Sequence, residues 1–206
     1  MKRFSISRCA GLLCAGLLAV ALAACQTTPP ATTQVSGTTK PTPTPAAGAR
    51  PTIRVNAGGD KVTDKKGNVW EADMGFEGGT SLPRPDLVVA GAEVPEVARD
   101  EHYGMDSWST KLPNGKYLLR MHFSENYNGN ADENSRLFDY TVKDGDAATG
   151  KVIKAVTNFS VWHAAGAREK EYIDAVPVEI TKGQLTITFR TIQDNSQIDG
   201  IEVIPQ

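Results

Sequence analysis

Three histidines, His102, His122 and His163, and three cysteines, Cys9, Cys14 and Cys25, are the residues whose chemistry is easiest to test against their spacing. No histidine lies within four residues of another, and neither HExxH nor HxH occurs. A zinc catalyst needs about three ligands held together, so no metal site is expected from this pattern. His122 alternates with Met121 and Phe123 and reads as a surface side chain on the outer face of a strand. No serine lies in GxSxG, and Asn56-Ala57-Gly58-Gly59 lacks the lysine and helix of a phosphate loop. Nucleophilic catalysis and nucleotide cofactors therefore have no support, and no cofactor is expected. Glycoside hydrolysis needs two carboxylates. Asp73, Glu77, Asp106, Glu125, Asp139, Asp194 and Asp199 are available, as acidic residues would be in any domain of this charge.

Polar aromatics stand out more than catalysts do. Tyr103 lies in His102-Tyr103-Gly104, and Tyr127 follows Glu125-Asn126 just past a strand ending at Phe123. Trp162-His163 and Asp194-Asn195 complete a set assigned to loops, where binding residues collect. Trp162 is expected to pack into the core. Tyr, Trp, Asp and Asn suit sugars. Aromatic faces cover C–H patches, while carboxylates and amides accept hydroxyl protons.

The elements that must position these residues are strands. Tyr117, Leu119, Met121 and Phe123 alternate with polar neighbours, as do Phe138, Tyr140 and Val142, then Val176, Val178 and Ile180, then Leu185, Ile187 and Phe189. Turns at Pro113-Asn114-Gly115, Asp144-Gly145-Asp146 and Lys182-Gly183 separate them. No stretch of helical length carries a 3.6-residue stripe, and Ala164 to Tyr172 reads as a loop or a single turn. The fold class is therefore all-β, an antiparallel sandwich or barrel over residues 51–206.

The preceding residues read as delivery. Lys2, Arg3 and Arg8 precede an apolar run from Ala10 to Ala24 that is too short for a span of about 20 residues and fits a secretory signal. Leu22-Ala23-Ala24-Cys25 resembles the bacterial lipoprotein cleavage box, which implies lipidation of Cys25 and removal of 1–24. Gln26 after that cysteine favours the outer membrane by analogy with lipoprotein sorting. Residues 26–50 hold eight Thr and five Pro without an aromatic, the composition of an extended tether. Loss of the signal would leave 19 basic residues against 24 acidic ones, a net charge of −5. That balance argues against nucleic acid as a partner.

Seven segments in order resemble the malectin-type carbohydrate-binding family. They are Ile53–Gly59 (IRVNAGG), Trp70–Gly79 with WEAD and FEGG, Tyr103–Trp108 (YGMDSW), Tyr117–Glu125 (YLLRMHFSE), Arg136–Val142 (RLFDYTV), Ala164–Ala167 and Asn195–Ile204. The resemblance implies a jelly-roll β-sandwich that binds carbohydrate without catalysis through loop aromatics and one aspartate. By position it assigns Tyr103, Tyr127 and Asp194 to the sugar pocket. Asn128 falls where the family carries a phenylalanine, and Phe76 falls near a further tyrosine. The expected partner is an oligosaccharide or polysaccharide, with glucose as the family's sugar, and the membrane is reached through the lipid. The alternative is a scaffold for protein or cell-wall interaction whose sugar pocket has degenerated.

Overall fold

The computed structural model describes residues 50–206. The expected signal, the lipidated Cys25 and nearly all of the tether lie outside them. The strands are β1 (Ile53–Asn56), β2 (Val62–Thr63), β3 (Val69–Trp70), β4 (Phe76–Leu82), β5 (Glu101–Lys111), β6 (Gly115–Phe123), β7 (Leu137–Asp144), β8 (Lys151–Phe159), β9 (Tyr172–Ile180), β10 (Gln184–Gln193), β11 (Gln197–Ile198) and β12 (Gly200–Pro205). Two short helices, α1 (Pro95–Ala98) and α2 (Val161–Ala165), interrupt them. One antiparallel sheet runs β1-β12-β6-β9. The other runs β11-β5-β10-β7-β8, with β4 on the free edge of β5. The fold is an antiparallel β-sandwich.

Period-two alternation decides which side chains meet between the sheets. Leu119, Met121 and Phe123 from the first sheet face Phe138, Tyr140, Leu185 and Ile187 from the second, all buried. Phe123 packs on Phe138, Tyr140 and Phe159 with ring centroids 5.2–6.4 Å apart. This aromatic knot lies near the end of the sandwich where β6 ends and β7 begins.

Three expectations need correction. His122 is buried, not a surface side chain. Its Nδ1 lies 2.9 Å from Glu171 Oε1 and its Nε2 3.3 Å from Glu202 Oε1, with Trp70 edge-on at 5.4 Å. The outer face of β6 is covered by the 90–100 and 169–171 segments, so outward alternation does not mean exposure. Tyr103 lies within β5, not in a loop, between Thr80 of β4 and Gln197 of β11. Trp162 and His163 lie in α2, capped by the Ser160 hydroxyl and closed by Gly166 at φ 77°. Trp162 is half-buried, with the Arg168 guanidinium 5.7 Å above its ring.

Candidate functional site

A cavity of about 250 Å³ opens at the end of the sandwich where β4, β6 and β10 finish and β5 and β7 begin. Its walls are Leu82, Arg84, Glu101, Tyr103, Tyr127, Arg136, Asp194 and Asn195. Tyr103, Tyr127 and Asp194, far apart in sequence, thus converge on one cavity. Asn128 is exposed beside it and is not a lining residue. Phe76 is turned elsewhere. Its ring stacks on His102 at 4.0 Å, and on the ladder it pairs with Trp108.

Each wall has a local cause. Glu101 and Tyr103 are two residues apart on β5, so the pleat puts both on one face and sends His102 to the other. There His102 Nδ1 meets Asp73 Oδ2 at 2.9 Å and Nε2 meets the Gly78 carbonyl at 3.0 Å. Both ring nitrogens face acceptors. Burial disfavours the imidazolium, but the Asp73 and Gly78 hydrogen bonds and the Asp73 charge outweigh it and raise the His102 pKa. Gly58, from the Asn56-Ala57-Gly58-Gly59 run, holds φ at +82° and presses on Glu101 from behind; a Cβ there would stand 1.9 Å from the Glu101 carbonyl oxygen. Glycine at this position lets the β1 loop brace the cavity wall.

Arg136 organises the two loops at the mouth. Its Nε lies 2.9 Å from Glu125 Oε2, and its Nη2 lies 3.1 Å from Asp194 Oδ2. Nη1 donates to the Asn195 carbonyl at 3.4 Å. Glu125 Oε1 in turn accepts the Tyr127 backbone N–H at 3.1 Å. Burial pushes the Glu125 carboxyl above its ordinary value, and the Arg136 charge works against that rise. Asp194 sits at φ 58°, a left-handed conformation that aspartate tolerates better than most residues. Its side chain is fixed by Arg136 on one oxygen and by Asn195 Nδ2 at 3.1 Å on the other.

The chemistry of the walls is amphipathic. Tyr127 is 45% exposed and Leu82 37%, which places apolar faces at the rim. Deeper in, Arg84 Nη2 pairs with Glu101 Oε1 at 2.7 Å. Both guanidinium groups are matched by carboxylates, so among the described residues the cavity has no free positive charge to draw an anion. Of the carboxylates considered for hydrolysis, only Asp194 lines the cavity. Asp73 is held by His102 and Asp139 by Arg190. Asp199 is fully buried, and its burial and the charges of Glu101, Glu171 and Glu125 hold its carboxyl well above the usual range. Among the described residues no three His, Cys, Asp or Glu side chains are grouped to hold a metal.

Leu82, Arg84, Glu101 and Arg136 were not singled out from the sequence as cavity residues. The Tyr103 register carried a signal for Glu101. Extending Phe138-Tyr140-Val142 back by two carried one for Arg136, a charge in a core-facing position.

Comparisons with known proteins agree with the fold. A crystallised β-glucuronidase of Bacteroides uniformis superposes with TM-score 0.62 at 15% identity, over 75% of this chain and 18% of that one. The plant receptor-like kinase FER gives 0.59 at 16% identity, over 74% of this chain and 48% of that one. The ANXUR1 extracellular domain of Arabidopsis thaliana gives 0.58 at 14% identity, over 74% and 47%. This chain thus spans from less than a fifth to about half of these proteins. No curated protein matches it. The family model for the Malectin domain matches residues 52–204, from β1 to the last strand, and the chain belongs to the malectin domain family.

Proposed function

We propose that this protein binds carbohydrate without catalysis, as a lipid-anchored component of the bacterial cell envelope, at the outer membrane. The observation that carries the reading is the convergence of Tyr103, Tyr127 and Asp194 on one cavity. Tyrosine faces cover the C–H patches of a sugar ring, and Asp194, already oriented by Arg136, accepts hydroxyl protons. A cavity of about 250 Å³ lies below the roughly 300–1,000 Å³ of drug-sized sites, which suits one or two sugar rings at a chain end. The balance of guanidinium and carboxylate favours an uncharged, hydroxyl-rich ligand, with a glucose-containing oligosaccharide as the first candidate. Arg50 donates to the Lys116 carbonyl at 2.7 Å and stacks 5.2 Å above Tyr117. The chain therefore joins the domain where β6 begins, whereas the cavity lies where β6 ends.

A glycan array followed by calorimetric titration tests the reading. Binding of at least one neutral oligosaccharide, weakened by Asp194→Ala, is expected. Absence of binding across glucans, galactans and peptidoglycan fragments would overturn it, and turnover of chromogenic glycosides would refute the non-catalytic part. Metabolic labelling with a fatty acid, compared between the full chain and Cys25→Ser, tests the anchor.

A further inference from the structure

We propose that Gly129 is a positioning residue for the sugar site: carrying no side chain, it seats the Tyr127 ring against its own backbone, so that one aromatic face is covered and the other is held ready for a sugar ring at the rim of the cavity. The inference rests on the carbohydrate reading and deepens it, since it names a residue outside the cavity lining that preforms the stacking face.

Tyr127, Asn128, Gly129 and Asn130 form a turn closed by the Asn130 N–H, which donates to the Tyr127 carbonyl at 3.3 Å. Both ends of the turn are pinned. The Tyr127 N–H donates to Glu125 Oε1 at 3.1 Å. Asn130 is buried, and its carbonyl accepts from Arg168 Nη1 at 3.3 Å. Between these ends Asn128 and Gly129 are exposed. The backbone does not demand glycine here, because the Gly129 φ lies outside the left-handed region. The ring demands it. A Cβ on Gly129 would stand 2.4 Å from Tyr127 Cζ and 2.5 Å from both Cε1 and Oη. A Cβ at the ring's edge, in its plane, would be farther from Cζ than from the two atoms flanking it, so this one lies over the ring face. Non-bonded carbons settle at about 3.5–4.0 Å, so an alanine methyl would drive the ring aside by roughly 1 Å or more. The ring is free to go, since Tyr127 is half-exposed at the rim. Tyr127 lines the cavity, and the face turned from Gly129 is the one left for a ligand. Fixing that face before binding removes part of the ordering cost of association.

Two measurements on the full chain test this. The first needs no ligand. In the proton NMR spectrum a ring face over Gly129 shifts its α-protons upfield, and Tyr127→Leu is expected to return them to ordinary glycine values. Unshifted α-protons in the wild type would overturn the proposal. The second is calorimetric titration with maltose, or with the tightest neutral oligosaccharide of the array where maltose does not bind. Gly129→Ala should weaken binding about two- to tenfold, the range of a lost stacking contact, with the melting temperature unchanged. Combined with Tyr127→Ala, it should weaken binding no further than Tyr127→Ala does alone, since the two residues act as one unit. Unchanged affinity in Gly129→Ala, or a loss that persists in full without the Tyr127 ring, would refute this inference and leave the carbohydrate reading standing. A wild-type protein that binds none of the neutral sugars of the array refutes the carbohydrate reading itself, and this inference with it.

Discussion

Arg136 Nη2 lies 3.1 Å from Asp194 Oδ2, so a buried guanidinium from the start of β7 holds an exposed carboxylate at the end of β10. The same guanidinium reaches Glu125, which accepts the Tyr127 N–H. One arginine therefore sets the positions of two residues proposed to touch sugar. Arg136→Met is expected to lower affinity at least as much as Asp194→Ala. It should also destabilise the fold by about 3–5 kcal/mol, because Glu125 is left buried and unpaired. Asp194→Ala should cost less, about 1 kcal/mol, for placing alanine in the left-handed conformation that aspartate tolerates. Urea unfolding and calorimetric titration of the two variants separate these outcomes, and equal stability of both would contradict the account.

Tyr127 protrudes at the rim and touches little of the core. Tyr127→Ala should lower affinity about two- to tenfold, the range of about 0.5–1.5 kcal/mol for a stacking contact, with unfolding midpoint unchanged. Tyr127→Phe should retain most of the affinity. A Phe variant as weak as the Ala variant would mean that the hydroxyl, rather than the ring face, is what binds.

Gly58→Ala tests the brace behind the cavity. Alanine would have to adopt a positive φ and place a methyl against the Glu101 backbone. A loss of about 1–3 kcal/mol is expected from overpacking, together with weaker sugar binding because the Glu101 wall moves. Gly67→Ala is the control. It shares the positive φ but faces open space, and should lose some stability with no change in binding.

His122 makes the fold sensitive to pH. Burial disfavours the imidazolium, but the Glu171 and Glu202 hydrogen bonds and charges outweigh it and raise its pKa in the folded state. The raised value means that its stabilisation is complete below about 6.5, the unfolded value, and is lost as pH rises through the folded value. Glu202 behaves oppositely. Burial would raise it, yet His122 and Arg54 hold it at about 2. Its contribution is present above about 4.5 and fades as pH falls from there to about 2. Thermal melts from pH 6 to 10 should show declining stability, and His122→Gln should flatten the decline. A wild-type curve that stays level over this range would contradict the assignment.

The strand pattern was legible because one face of each strand must be apolar. Tyr117 to Phe123 and Phe138 to Val142 identify the two core faces from alternation alone, and the seven motif segments gave the family. Alternation reports only which side of a strand a residue occupies, not what covers that side. His122 shows the limit, since loops from distant segments bury the outer face of β6. The same reason explains the site. Tyr103, Tyr127 and Asp194 were nameable in the sequence by resemblance, but Arg84, Glu101 and Arg136 are ordinary charged residues until long-range antiparallel pairing brings β4, β5, β7 and β10 to one end of the sandwich. Residue types and periodicity thus determined the class of fold and the aromatic candidates. Only tertiary structure decided which charges are buried together, because the pairing of carboxylate with guanidinium depends on distances of a few ångströms between segments up to some hundred residues apart.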